Sequence, residues 1–172
     1  MRPIYLDYNA TTPVAGAVLE AMLPYLHEVF GNPSSQHALG APAREAVVEA
    51  RAQVARLIGA SSDEIIFTSG GTEATNHALK GLAWVALRDA RAARQIVVSA
   101  VEHPATLEVA SALQRFGFTV VRIPVDGQGV LQLEALERAL ATPTLVVSLM
   151  HANNETGTLQ PIESAARLAH RA

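Results

Sequence analysis

The sequence predicts an α/β fold built on a mainly parallel sheet. Three observations predict it. Short β-rich runs alternate with longer helical runs along most of the 172 residues. Glycine and proline punctuate the points where helices stop and start. Apolar residues make up 49% of the chain against 17% charged, which is enough to bury a core and excludes intrinsic disorder.

The elements follow in order. Thr12-Pro13 opens a first helix, with threonine as N-cap and proline at the first helical position, and this helix runs to about Glu28. Gly31-Asn32-Pro33 ends it, and a polar loop to His37 leads into a second helix over Pro42 to Ile58. There Val47, Val54, Leu57 and Ile58 recur at helical spacing and Gly59 closes the helix. Glu64 to Thr68 reads as a buried strand, followed by Ser69-Gly70-Gly71-Thr72 and a helix to about Arg88. Gln95 to Ser99 is a second strand, with Glu102-His103-Pro104 leading into a helix that ends at Gly117. Phe118 to Ile123 is a third strand, followed by the turn Asp126-Gly127-Gln128-Gly129 and a helix over Leu133 to Leu140. Thr144 to Met150 is a fourth strand, and after His151-Ala152-Asn153-Asn154-Glu155 a last helix starts at Pro161. That helix reaches Ala172 without a following strand, so the expectation is a piece of a larger domain; a helix docked at a natural terminus is the other reading.

Net charge is −3 and the sequence pI is about 6.0, so no basic footprint points to nucleic acid. No apolar run approaches the ~20 residues of a membrane span, and Asp7 comes too early for a secretory signal. A cytoplasmic location is expected. Cysteine is absent, which excludes disulfides and a cysteine nucleophile within these residues. Twelve of the thirteen basic residues are arginine and one, Lys80, is lysine.

In open α/β sheets, ligands bind beyond the carboxyl ends of the strands. Three of the four predicted strands end there in polar segments: Ser69-Gly70-Gly71-Thr72-Glu73, Glu102-His103, and Asn153-Asn154-Glu155. Gly70-Gly71-Thr72 lets backbone approach an anion at a helix N-terminus, with Thr72 able to cap the helix or donate to a phosphate oxygen. The same turn also serves as an ordinary strand-to-helix link, and it matches neither dinucleotide nor nucleoside-triphosphate loops. His103 at the rim could stack on a flat ring and shuttle a proton, or simply stand exposed at a helix start. Asn153 and Asn154 offer amide donors to a ligand oxygen and are equally good turn formers. The remaining histidines show no metal spacing, and no metal is expected.

Tyr5-Leu6-Asp7-Tyr8-Asn9-Ala10-Thr11-Thr12-Pro13, Gly31-Asn32-Pro33-Ser34-Ser35, Phe67-Thr68-Ser69-Gly70-Gly71-Thr72-Glu73-Ala74, Glu102-His103 and Met150-His151-Ala152-Asn153-Asn154-Glu155-Thr156-Gly157 together resemble the cysteine desulfurases, in order and spacing, over essentially the whole chain. The resemblance implies the three-layer α-β-α, fold type I architecture of pyridoxal-phosphate enzymes within the class V aminotransferase superfamily. It implies residues 1–12 as an N-terminal segment and 13–172 as part of the large cofactor-binding domain. Gly71 and Thr72 would hold the phosphate of pyridoxal 5'-phosphate, His103 would stack on its ring and assist proton transfer, and Asn154 would hydrogen-bond its phenolic oxygen. The family removes sulfur from L-cysteine, giving alanine and an enzyme persulfide for a cluster scaffold or a tRNA-thiolation protein, usually as a homodimer.

The sequence departs from the family pattern in what it lacks. The aspartate and glutamine that contact the cofactor ring, the Schiff-base lysine, the catalytic cysteine loop and the carboxylate-binding arginine have no counterpart, and Thr75 stands where asparagine or aspartate is usual. Lys80 lies two turns into the helix after the phosphate loop and reads as a solvated side chain. The isolated chain is therefore expected to be inactive and to hold the cofactor weakly and without a covalent link. A selenocysteine lyase or another class V pyridoxal-phosphate enzyme is the alternative within the superfamily, and a catalytically dead dimerisation module the alternative outside catalysis.

Overall fold

The computed structural model describes residues 3–172, which divide into two compact units with the boundary between Phe67 and Thr68. The first unit holds two helices, α1 (Gly16–His27) and α2 (Gly40–Ile58). Helix α1 starts later than the Thr12 cap predicts: Ala15 is the N-cap, extended at φ −62° and ψ 142°, with no side-chain cap. The residues ahead of it are tied into a turn instead. The Tyr5 hydroxyl donates to the Asp7 carbonyl at 2.8 Å and bonds the Thr11 hydroxyl at 2.9 Å.

The Gly31–Ser35 motif packs tightly onto the start of α2. A Cβ at Gly31 would overlap the Leu39 carbonyl, and one at Gly40 would overlap the Ser35 carbonyl, so the close approach requires glycine at both. Arg44 fixes the loop by donating to the Ser35 carbonyl at 3.0 Å. As expected, Gly59 ends α2, in the left-handed conformation (φ 69°), with its N–H on the Ala55 carbonyl. The apolar stripe read from α2 is not a core: Leu57 and Ile58 are 85% and 64% exposed.

The strand expected over Glu64–Thr68 does not form. Ser62–Glu64 is a 3-10 turn in which the Glu64 side chain accepts the Ser61 N–H at 2.8 Å. Ile65 is extended, but its carbonyl takes the Arg51 Nε–H at 3.2 Å rather than a ladder partner, and the Arg51 guanidinium lies over the Phe67 ring. Strand pattern without an adjacent strand leaves backbone groups to whatever donor is near.

The second unit follows the predicted alternation: α3 (Gly71–Ala86), β1 (Gln95–Ser99), α4 (Pro104–Leu113), β2 (Thr119–Ile123), α5 (Leu133–Ala139), β3 (Thr144–Ser148) and α6 (Ile162–Ala169). The strands form one parallel sheet in the order β2-β1-β3, with Ile96 beside Val120 and Val146. Central β1 is buried at every position, which is why it reads as an unbroken apolar run. Alternate side chains face opposite layers. Ile96 and Val98 pack with Leu79 and Ala83 of α3 and Val109 and Leu113 of α4; Val97 and Ile123 pack with Leu136 of α5 and Ala165 of α6. This unit is the expected α-β-α sandwich. Gln95, buried at one end of β1, bridges the layers by donating to the Ala139 carbonyl and the Thr144 hydroxyl, each at 2.8 Å.

Candidate functional site

The second unit brings the loop before α3 and the loop after β1 together. Thr68 donates its hydroxyl to the Gly70 carbonyl at 3.1 Å, and the Glu73 carboxylate reaches back to accept both the Ser69 N–H at 2.7 Å and the Ser69 hydroxyl at 2.6 Å. Those two bonds, with a smaller contribution from His77, hold the Glu73 carboxyl below its ordinary value. They also turn its charge toward Ser69. The N-cap of α3 is Gly70, which offers no side-chain cap, so the N–H groups of the first turn keep the unpaired, positive character of a helix start. A Cβ at Gly70 or Gly71 would meet nothing within 4 Å; the two glycines leave space open rather than relieve strain.

His103 is the N-cap of α4, with Pro104 at the first helical position. Its Nδ1 accepts the Ala105 N–H at 3.1 Å, so in the neutral ring the proton is on Nε2, the nitrogen left for a ligand. Thr72 and His103 line a single groove of about 500 Å³ between α3 and α4, together with Asn76, Lys80 and Glu108. Lys80 is exposed, as expected, but it stands on the same α3 face as Thr72 and Asn76 and walls the far end of that groove.

Next to His103 stands Glu102, which the sequence marks only as part of the polar Glu102-His103 segment, without a role of its own. Glu102 is 7% exposed, and one of its carboxylate oxygens accepts both the Ser99 hydroxyl and the Met150 N–H at 2.7 Å. The carboxylate thus ties the end of β1 to the end of β3. A charged residue between an apolar strand and a His-Pro helix start was the signal available for it.

The segment after β3 is ordered by Asn153. Its Oδ1 accepts the N–H groups of Glu155 at 2.9 Å and Thr156 at 3.0 Å, and its Nδ2 donates to the Val101 carbonyl at 3.2 Å. Asn153 therefore takes the turn-forming role. Asn154 is exposed, with its Nδ2 on the Glu155 carboxylate at 2.8 Å, and it is not among the residues lining the Thr72–His103 groove. Gln160, buried and unremarked in the sequence, pins the 129–131 segment by donating to the Gly129 carbonyl and accepting the Leu131 N–H, each at 2.8 Å.

The family model described as aminotransferase class-V matches residues 4–172. The chain belongs to the class-V aminotransferases. Among its relatives, a cysteine desulfurase from Cereibacter sphaeroides is 54% identical over 175 aligned positions, covering 100% of this chain and 44% of the relative. "Cysteine desulfurase IscS" from Dictyoglomus turgidum is 48% identical over 168 positions, covering 98% of this chain and 42% of that protein. A solved NifS-like protein superposes with a TM-score of 0.92 at 42% identity, over 98% of this chain and 45% of its own. A second structure, SspA in complex with cysteine, gives 0.90 at 36% identity, over 97% of this chain and 47% of its own. This class-V chain thus spans less than half the length of the curated relatives it matches. Among its described residues, no helix is long and apolar enough to cross a membrane, and no group of three or more His, Cys, Asp or Glu is placed to hold a metal ion.

Proposed function

We propose that this chain carries the N-terminal share of a cysteine desulfurase, with residues 13–172 belonging to its large cofactor-binding domain. The observation that carries the reading is the shared groove: the start of α3 and the imidazole of His103 line one space. Pyridoxal 5'-phosphate fits the residues present there. Its phosphate suits the uncapped N-terminus of α3 at Gly71 and Thr72, whose hydroxyl has no protein partner among the described residues. The open space over Gly70 and Gly71 leaves room for it.

When bound, this cofactor supplies an electron sink for bonds at the substrate's α-carbon. The chain's own residues then divide the supporting work. Thr72 and the α3 N–H groups anchor the phosphate. His103 covers the ring, with the Ala105 bond at Nδ1 fixing the imidazole so that Nε2 is the atom that holds or moves a proton. The family resemblance would give Asn154 the bond to the phenolic oxygen, a role for which its Nδ2 must leave the Glu155 carboxylate and turn toward the groove. The substrate is L-cysteine and the products are alanine and a persulfide passed to a cluster scaffold or a tRNA-thiolation protein. By the family resemblance, the attacking thiolate and the covalent lysine would come from outside these 172 residues, which hold no cysteine and the one lysine Lys80. The whole enzyme is proposed to act as a homodimer in the cytoplasm.

A chimera tests this reading. These 172 residues replace the matching portion of the Cereibacter sphaeroides relative, and the purified protein is given pyridoxal phosphate and L-cysteine. Stoichiometric alanine release is the expected result. A folded, cofactor-loaded chimera that releases no alanine from cysteine, or acts on selenocysteine alone, overturns it.

A further inference from the structure

The turn after β3 is closed on itself. Its two arms meet at an antiparallel bridge between Ala152 and Leu159. The Asn153 N–H donates to the Thr158 carbonyl at 2.9 Å, and the Gly157 N–H returns to the Asn153 carbonyl at 2.8 Å. Gly157 takes the left-handed conformation at that return, with φ 73°. The Asn153 Oδ1 fills the middle, accepting the N–H groups of Glu155 and Thr156 and, at 3.2 Å, the Thr156 hydroxyl. A turn bonded in this way moves as one piece, so the point at which it is held from outside decides where its residues stand.

Asn153 holds it on the side of His103. With Oδ1 committed to three donors inside the turn, Nδ2 faces outward and donates to the Val101 carbonyl at 3.2 Å and to the Met150 Sδ at 3.5 Å. Val101 lies two residues before His103, and Asn154 is the residue after Asn153. Met150 is shared by a second tie across the same junction, because its N–H goes to the buried Glu102 carboxylate. Forming the turn asks only for an acceptor at position 153, which aspartate or serine supplies as well as asparagine. The donor is what asparagine adds, and it goes to the loop that carries His103.

We propose that Asn153 is a positioning residue: through its Nδ2 it fixes the turn that carries Asn154 against the loop that carries His103, so that Asn154 serves the cofactor ring covered by His103 from a backbone that does not shift. This rests on the cofactor reading given under the proposed function and adds to it a residue that touches neither cofactor nor substrate.

The test compares Asn153→Asp and Asn153→Ser in the chimera with the Cereibacter sphaeroides relative. Both keep an oxygen for the Glu155 and Thr156 N–H groups and remove the donor to Val101; serine does so without adding charge. Before cofactor is added, amide exchange read residue by residue should find Glu155 and Thr156 still protected. The Met150 amide, held by Glu102 across the same junction, should exchange about tenfold faster. A residue that only forms a turn would leave Met150 unmoved. With pyridoxal phosphate bound, the pH midpoint of its absorbance should rise by about one unit in both variants, because an ionised oxygen that loses a donor binds a proton more tightly. Asn154→Ala should raise it equally, and adding Asn153→Asp to Asn154→Ala should raise it no further, the non-additivity of residues that act through one another. Unchanged Met150 exchange overturns the proposal, as does loss of protection at Glu155 and Thr156 in both variants, since Nδ2 would then serve the turn itself. A midpoint that moves for Asn154→Ala alone also overturns it and leaves the cofactor reading standing. A midpoint unmoved by Asn154→Ala overturns that residue's cofactor role and this proposal together. A chimera that binds no cofactor overturns the desulfurase reading, and Met150 exchange then decides whether Asn153 holds the two loops.

Discussion

One oxygen of the buried Glu102 carboxylate accepts the backbone N–H of Met150 at 2.7 Å, joining the loop after β1 to the end of β3. The same oxygen takes the Ser99 hydroxyl, so a single acceptor satisfies two donors in the floor beneath His103. Glu102→Ala leaves both without their partner. Removing one side of a buried hydrogen bond costs about 1–3 kcal/mol, and urea unfolding of the 172-residue chain should show a loss of that size. Glu102→Gln keeps an oxygen in place and should recover most of it. Equal loss in both variants would mean that the charge, not the acceptor geometry, matters.

Glu73 gives a pH dependence with a definite sign. Its carboxyl lies below its ordinary value of 4.5 because the Ser69 hydroxyl and N–H both donate to it. A carboxyl depressed in the folded state contributes stability above the unfolded value, and loses it as pH falls through the folded one. The turn from Ser69 to Glu73 should therefore hold at neutral pH and loosen only below about 4.5. Carbon-detected NMR titration of Glu73 checks this, with Ser69→Ala expected to move its midpoint upward. A midpoint unmoved by that substitution would remove the hydroxyl as the cause.

Thr72→Ala tests the phosphate end of the groove. The Thr72 hydroxyl is free of protein partners among the described residues, so its loss should leave α3 folded. A hydrogen bond to a charged group is worth ~1.5–3 kcal/mol, so pyridoxal phosphate should bind the chimera roughly tenfold or more weakly. Unchanged cofactor retention would reduce Gly70-Gly71-Thr72 to a turn.

In the same chimera, His103→Ala should retain cofactor while turnover falls by ~10²–10⁴-fold, the range for loss of an acid–base group. Unchanged turnover would take the imidazole out of the mechanism.

The second unit was legible because its signals are local. Gln95-Ile96-Val97-Val98-Ser99 is an apolar run bounded by polar loops, and it is the buried central strand. His103-Pro104 is a helix start, and His103 caps it. What escaped depends on partners distant in sequence. Glu64 to Thr68 has strand composition, yet strand identity needs a neighbour, and Arg51 took the Ile65 carbonyl instead. Leu57 and Ile58 keep helical spacing, which reports a face but not whether anything covers it. Glu102 and Gln160 matter through bonds to Met150 and Leu131, and no spacing rule announces those.

Lys80 sets the last prediction, because it is the one lysine in the chain. It walls the same groove as Thr72 and His103, so proximity alone makes it a candidate for a covalent link to the cofactor. The helix argues otherwise. Lys80 is eight residues beyond Thr72, and at ~1.5 Å rise per residue its backbone stands ~12 Å along α3 from the phosphate end. It is exposed, whereas a lysine that forms such a link must stand against the reacting carbon of the cofactor. Without cysteine, the chain also has no thiolate to take up sulfur. The 172-residue chain incubated with pyridoxal phosphate and reduced with borohydride should therefore show no stoichiometric pyridoxyl adduct on Lys80 by peptide mass analysis, and no alanine from added cysteine. A full adduct on Lys80 with alanine release would make this chain a self-sufficient enzyme and assign its one lysine to the chemistry.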